Sequence, residues 1–192
     1  MPYQSEFGAP SSKDFELLGS APVSDDEQLL RAAIAGDPDA LTWFVRETQA
    51  QVWRYCAYLG RGEDPADLVQ ETYARALRAL PRFEGRSAVR VWLLGIARRV
   101  CADAIRSARR RRALVARFPR SSEVADASDG VSLDLLLQAL PVERREALVL
   151  TQVIGMPYAD AAAVCRVPVG TIRSRVARAR EDLRVRWTEA AG

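Results

Sequence analysis

The sequence predicts an all-α protein of two small helical domains joined by a flexible linker. Apolar residues recur at helical spacing, and capping and stop signals divide the chain into pieces of helix length. Residues 113–131 lack this period and contain Pro119 and several serines. Because a loop of that length is unusual inside a compact domain, we predict one domain over 24–112 and a second over 132–192.

The first helix follows an N-terminal arm. Residues 1–23 are rich in Pro, Ser and Gly, show no period, and are expected to be disordered. Ser24 and Glu27 have the spacing of a capping box, in which each side chain satisfies a free backbone N–H of the first turn. They predict a helix that stops at Gly36.

Three further helices complete the first domain. An Asp-Pro pair opens the second helix at Asp37 and the third at Asp64, since proline suits the first helical position. These two helices are expected to stop at Gly60 and Pro81. Ser87 is then expected to cap a long fourth helix that ends the domain.

Several residues are interpreted as structural. The second helix contains Phe44, Trp53 and Tyr55, which are interpreted as core residues with no chemical role. Asp103, in the fourth helix, is expected to pair with a neighbouring arginine, because an unpaired buried carboxylate is costly.

The second domain has the order of a helix-turn-helix. Ser132 caps one short helix, and Pro141 begins another that Gly155 closes. Residues 158–164 then form a short Ala-rich helix, and a tight turn leads into a basic helix over 167–186. In a helix-turn-helix the second helix lies in the major groove of DNA.

The basic helix has two distinct sides. Its apolar seam consists of Val169, Ile172, Val176, Ala179 and Leu183. The opposite side carries small side chains along its midline and arginines on its flanks. The small side chains would let the helix approach DNA closely, and the arginines could reach base edges and phosphates. A solvated basic helix in a bundle is the alternative interpretation. The candidate DNA-contacting residues are Thr171, Arg173, Ser174, Arg175, Ala177 and Arg178.

Charge and composition limit the classes of function that the sequence allows. The net charge of the 192-residue chain is only +3, but residues 98–120 carry nine arginines against one aspartate, which indicates a polyanion partner. The chain has no histidine, no phosphate-binding Gly loop and three well-separated cysteines. We therefore predict no enzyme activity, no metal and no cofactor. With no membrane span or signal peptide apparent, a cytoplasmic protein is expected.

Two separate blocks of the sequence resemble the extracytoplasmic-function (ECF) sigma factors of the sigma-70 family. Residues 158–162 and 167–175 resemble the region 4 module that reads the −35 promoter element. Residues 67–72 resemble region 2.2, and residues 92–99 resemble regions 2.3–2.4, which open and read the −10 element. The chain looks most like the actinobacterial sigma-C-like subgroup.

The resemblance implies two further sets of contacts. Docking on the clamp helices of the polymerase β′ subunit is implied for Asp67, Leu68, Gln70 and Glu71, with Leu68 on a flank that is expected to be accessible. Contacts to the −10 element are implied for Phe83, Trp92, Arg98, Arg99, Arg106 and Arg109. Ring faces there would stack on bases while the arginines hold the backbone.

The sequence departs from the family pattern at three positions. The turn of the helix-turn-helix has Arg166 where the family usually has glycine, so the turn is either strained or differently shaped. Arg99 stands where asparagine is frequent, and Ala177 where a larger residue is common. The departure at Arg99 bears on the −10 sequence preference and not on the class, and any contact made by the Ala177 side chain is expected to be weaker.

The resemblance implies a sigma factor that gives core RNA polymerase its promoter specificity. Its expected partners are the β and β′ subunits of the core and promoter DNA, and the free chain is expected to be a monomer. Whether an anti-sigma factor binds it is left open. The main alternative is a helix-turn-helix repressor or activator that acts without docking on polymerase. Such regulators usually dimerise on half-sites one helical turn apart.

Overall fold

The computed structural model describes residues 25–115 and 133–191. The regular structure in these two ranges is entirely helical, which confirms the predicted fold class. The first range contains α1 (Asp25–Ala35), α2 (Pro38–Leu59), α3 (Pro65–Ala79) and α4 (Val89–Val115). The second contains α5 (Leu133–Gln138), α6 (Val142–Leu148), α7 (Tyr158–Cys165) and α8 (Val169–Ala191). The N-terminal arm, the Ser24 cap and most of the predicted linker lie outside the described residues.

Two aspartates start α2 and α3 as predicted. The Asp37 side chain accepts a hydrogen bond from the backbone N–H of Ala40 at 2.8 Å. The Asp64 side chain accepts one from the N–H of Ala66 at 2.8 Å. Each cap satisfies a backbone donor that has no partner inside its helix.

The ends of α4 differ from the prediction. Ala88, and not Ser87, precedes the helix, because the Ala88 carbonyl accepts the N–H groups of Val91 and Trp92. At the other end α4 continues past Arg112 to Val115. Ala113 and Leu114 both have high helix propensity, so the helix extends into the predicted linker.

The helix predicted to run from Pro141 to Gly155 changes its winding part-way. After α6 the chain makes a π-helical turn over Val149–Val153. Within it, the N–H of Ile154 donates to the carbonyl of Val149 at 2.9 Å. Wide turns of this kind often occur at functional sites, and this one faces α2 of the other half.

The two halves share one continuous apolar core. Phe44, Leu93 and Leu94 are buried in the first half, and Leu150 and Ile172 in the second, within the same cluster of contacts. The core joins where α7 packs on α4 and where the π-helical turn packs on α2. The halves predicted as separate domains are therefore packed together in this structure.

Trp53 was predicted to be a core residue, and this is wrong. Its side chain is 46% exposed, whereas Phe44 and Tyr55 of the same helix are buried. Helical spacing places Trp53 with Arg46, Ala50 and Ala57, which are also exposed.

Candidate nucleic-acid interface

The turn between α7 and α8 has the backbone shape that glycine normally provides. Arg166 adopts the left-handed conformation, with φ 57° and ψ 49°. Its N–H donates to the carbonyl of Ala163 at 3.3 Å, and the N–H of Val167 donates to Ala162 at 3.1 Å. This closes α7 in the manner of a Schellman motif. The turn therefore keeps the usual geometry, and Arg166 bears a strain of about 1–2 kcal/mol.

The surface of α8 agrees with the predicted faces. Ile172, Val176 and Ala179 are buried against the rest of the second half. The outward side chains are exposed at Arg173, Ser174, Ala177 and Arg178 and half-buried at Thr171 and Arg175. In the described part of the chain, no carboxylate lies within 4 Å of Arg173 or Arg178. Both guanidinium groups are thus available to bases or phosphates.

An aromatic pair marks the start of α4. The rings of Phe83 and Trp92 have centroids 5.1 Å apart and planes tilted by 50°. Both rings are half-buried, and together with Arg82, Glu84 and Arg86 they border an open cavity of about 190 Å³. Tilted pairs at this distance are mutually stabilising. The predicted residues Phe83 and Trp92 are therefore in contact and open to a planar ligand.

The four predicted arginines of α4 do not form one continuous track. Arg106 pairs with Asp103, which also accepts a hydrogen bond from Arg75 of α3 at 2.9 Å. This confirms the expected pairing of Asp103, and the two guanidinium groups hold the pKa of that carboxyl below its usual value. Arg99 is exposed beside Trp92, and Arg109 lies further along the helix beside a separate cavity.

Arg98 is bound by the other half of the protein. Its Nε donates to Oε1 of Glu146 in α6 at 2.8 Å. The Tyr55 hydroxyl of α2 donates to the same oxygen at 2.6 Å. Glu146 is only 4% exposed, so this shared carboxylate is enclosed between the halves. Burial and then the Glu146 carboxylate raise the pKa of Tyr55 well above its ordinary value.

Sequence reasoning missed this interaction. Tyr55 fitted an apolar stripe and was interpreted as core, and Glu146 was given no role. The available signal was the position of Glu146, which lies four residues after Val142 and four before Leu150 and so shares their helical face. A carboxylate at such a position requires a partner, but helical spacing does not show that the partners lie in α2 and α4.

Comparison with known proteins identifies the family. The model for sigma-70 region 2 matches residues 44–111, and the model for sigma-70 region 4 matches residues 130–183. ECF RNA polymerase sigma factor SigC of Mycobacterium tuberculosis is 47% identical over 174 residues, covering 85% of this chain and 94% of SigC. The chain is an ECF sigma factor. The SigC match places it in the sigma-C-like subgroup.

Two solved structures resemble this chain. CnrH, solved in complex with the cytosolic domain of CnrY, matches with a TM-score of 0.67 and 27% identity over 85% of this chain and 97% of CnrH. RpoE of Bartonella quintana, solved with the anti-sigma factor NepR, matches with a TM-score of 0.59 and 31% identity over 73% of this chain and 93% of RpoE.

Family membership establishes the general role of this sigma factor. It binds core RNA polymerase and directs it to promoters. As a class, sigma factors are initiation factors and not enzymes. The alternative of an autonomous helix-turn-helix repressor is not favoured, because it leaves the region 2 match over 44–111 unexplained. Every helix of the described ranges is too short or too polar to cross a bilayer.

The outer face of α3 differs in part from the prediction for polymerase docking. Asp67 and Gln70 are exposed, and Glu71 is half-buried and pairs with Arg75 at 2.7 Å. The expectation that Leu68 is accessible is wrong, because its side chain is 4% exposed. It packs so closely on Gly60 that a Cβ there would lie 2.5 Å from Leu68 Cδ1.

Sequence reasoning also missed an apolar residue on this face. Leu77 is 38% exposed and follows Gln70 and Ala74 at helical spacing. The positions 70, 74 and 77 share a stripe in any helical wheel, so the signal was present in the sequence. The exposed face of α3 thus has acidic and polar residues at its start and an apolar residue near its end.

In this sigma factor, α7 covers part of the predicted −10 surface of α4. The two helices enclose a groove of about 250 Å³ between Trp92, Gly95 and Arg99 on one side and Ala163 and Arg166 on the other. Arg98 also borders this groove, and its side chain is 40% exposed although it is bound to Glu146. We call this arrangement, in which α7 packs on α4 and Glu146 binds Arg98, closed.

Proposed function

We propose that region 2 of this sigma factor corresponds to residues 24–112 and region 4 to residues 132–192. In this division α3 docks on polymerase, the start of α4 reads the −10 element, and α8 reads the −35 element. The proposal is supported by the family matches, which lie within or close to these bounds. The chain would supply no chemistry of its own and would act in the cytoplasm, where the polymerase works.

Docking is proposed for the outer face of α3. Asp67 and Gln70 would contact the clamp helices of β′ directly, with Glu71 at the edge of the contact. We add Leu77, because an exposed apolar side chain beside polar residues suits the centre of a protein interface. The buried Leu68 would act indirectly by fixing α3 against the loop at Gly60.

Opening of the −10 element is proposed for the aromatic pair and the arginines of α4. A flipped base would enter the cavity beside Phe83 and Trp92 and stack on an exposed ring face. Arg99 and Arg109 would hold the strand through its phosphates. Arg98 and Arg106 would join them after leaving their carboxylate partners.

Reading of the −35 element is proposed for α8. Arg173 and Arg178 are long enough to reach base edges in the major groove, where arginine bound to guanine is the commonest specific contact. Thr171, Ser174 and Arg175 are placed to contact phosphates or neighbouring bases. Ala177 has a short side chain, so its contribution would be limited to close approach.

Engagement of the −10 element would require a transition from the closed arrangement to an open one. The hydrogen bond from Arg98 to the buried Glu146 binds a residue proposed for −10 contacts to the other half of the protein. Binding to polymerase would separate α4 from α7 and release Arg98. An anti-sigma protein is proposed as a partner that favours an inactive arrangement, as the complex of RpoE with NepR suggests.

Run-off transcription tests the proposal. Purified core polymerase and the chain are incubated with a library of promoters randomised at −35 and −10, and the transcripts are sequenced. Wild-type protein should select both elements. Arg173→Ala or Arg178→Ala should relax preference at one −35 position, whereas Arg184→Ala, near the exposed end of α8, should not. Unchanged −35 preferences in both Arg173→Ala and Arg178→Ala would contradict the proposal that α8 reads the −35 element.

A further inference from the structure

A second cavity lies between the two halves, further along α4 from the pair of Phe83 and Trp92. It has a volume of about 370 Å³ and lies between the loop after α2, the second half of α4, the end of α5 and the middle of α6. Its lining includes Arg61, Ile105, Arg109, Arg112, Gln138 and Arg145. The first four come from one half of the chain and the last two from the other.

The charged residues that line this cavity are positive. Four arginines border it, and no carboxylate is among the described residues that line it. In the described part of the chain, no carboxylate lies within 4 Å of Arg61, Arg109 or Arg112. The neighbouring Arg106 and Arg111 on α4, by contrast, pair with Asp103 and Glu63. Arg109 and Arg112 are thus two α4 arginines that border the cavity without a carboxylate partner among the described residues.

Such a lining suits an anion with several oxygens. Guanidinium groups donate paired, planar hydrogen bonds that match phosphate geometry, and charge-assisted bonds of this kind are strong. Arg145 is 1% exposed, so part of the cationic wall is fixed within the core and does not move freely in solvent. The side-chain amide of Gln138 adds a polar group to the same wall.

We propose that this cavity binds a small anion bearing two or more phosphate groups and that the anion bridges the two halves. It would neutralise the positive charges of Arg61, Arg109 and Arg112, which lie together at this cavity. A ligand that binds the closed form and not the open one stabilises the closed form in proportion to its saturation. Arg145 precedes Glu146 in α6, so the anion would act beside the carboxylate that holds Arg98.

The consequence for regulation rests on the closed-to-open transition proposed above, whereas the binding itself does not. Arg109 belongs both to this cavity and to the predicted −10 contacts. A bound phosphate compound and the promoter backbone would therefore compete for Arg109. The ligand would keep the free sigma factor closed until polymerase and DNA displace it.

Calorimetric titration of the full chain with inorganic tripolyphosphate, at fixed ionic strength, tests the binding. One anion should bind per chain with saturation. The double variant Arg61→Gln, Arg112→Gln should weaken binding by at least about tenfold, as loss of charge-assisted hydrogen bonds implies. The matched control is Arg46→Gln, Arg54→Gln, which makes the same charge change at exposed positions of α2 and should bind as wild type does.

A second pair of variants tests the bridging. Glu146→Lys, which should separate the halves, is expected to weaken tripolyphosphate binding although it adds positive charge. Glu143→Lys adds the same charge at an exposed position of α6 and should not weaken it. Absence of saturable binding, or equal loss in both arginine double variants, would overturn the site. Undiminished binding by Glu146→Lys would overturn the bridging. Because no polymerase is present, none of these results depends on promoter recognition.

Discussion

Tyr55 of α2 donates its hydroxyl to Glu146 of α6 at 2.6 Å, across 91 positions of sequence. The carboxylate oxygen that accepts this bond also accepts Arg98, so one buried group joins region 2 to region 4. The interaction has the short length expected of a hydrogen bond to a charged acceptor. It makes the contact between the halves specific, since the surrounding apolar contacts have no such directional requirement.

Tyr55→Phe should lower the free energy of unfolding by about 1.5–3 kcal/mol, because it removes a hydrogen bond to a buried charge. Tyr73→Phe is the matched control, since the Tyr73 hydroxyl lies 2.8 Å from Thr48 within region 2 alone. Its loss should cost about 1 kcal/mol. Urea denaturation followed by circular dichroism measures both, and an equal or smaller effect at Tyr55 would contradict the role of the interaction.

The stability of Tyr55→Phe should also depend on pH differently from that of the wild type. Burial raises the pKa of Tyr55 above its ordinary value of 10.0. The folded state therefore holds the proton more tightly than the unfolded state, and stability falls as the pH rises from about 10 towards the folded pKa. Tyr73 and Cys165, whose pKa values burial also raises, contribute to this loss in both proteins. Tyr55→Phe should show a shallower decline than wild type, and parallel curves would contradict this assignment.

Phe83→Ala should impair promoter melting more than binding to duplex DNA. The ring touches Trp92 and borders an open cavity, and loss of a stacked base should cost about 1–3 kcal/mol. Phe83→Leu keeps an apolar side chain without a ring face and should show most of the same defect. Permanganate reactivity of −10 thymines reports melting. Wild-type permanganate reactivity in both variants would show that no base stacks on Phe83 during melting.

The docking face of α3 can be tested with a matched double variant. Gln70→Ala with Glu71→Lys should weaken the binding of core polymerase and leave helicity native, although loss of the pair with Arg75 costs up to about 0.5 kcal/mol. Gln49→Ala with Glu47→Lys makes the same changes at exposed positions of α2. A core pull-down compares them, and equal retention by both would count against docking on this face.

Arg166→Gly should stabilise region 4 modestly, by up to about 1 kcal/mol. Glycine relieves the strain of the left-handed conformation, but part of that gain is offset by the greater freedom of the unfolded chain. Arg166→Ala keeps the unfavourable φ and should give no such gain, which separates the backbone from the side chain. Thermal unfolding of both variants measures the difference, and a lower midpoint for Arg166→Gly than for Arg166→Ala would disprove the strain.

Local sequence signals predicted the parts of this fold that local chemistry determines. Asp37 and Asp64 begin their helices because a side-chain oxygen satisfies a nearby N–H, and the seam of α8 follows from its period. Leu68 was misjudged because a flank position is buried or exposed according to the neighbouring chain, here Gly60. The interaction of Tyr55 with Glu146 was out of reach, since it depends on how the two halves pack and no periodicity encodes that packing.

Small-angle X-ray scattering of two variants tests most directly whether Glu146 holds the free sigma factor closed. Glu146→Lys places a cation beside Arg98 and removes the acceptor of Tyr55, so the radius of gyration should increase while circular dichroism shows native helicity. Glu143→Lys, with the same charge change on the exposed side of α6, should keep the wild-type radius. A wild-type radius for natively helical Glu146→Lys would contradict the claim that this carboxylate joins the two halves.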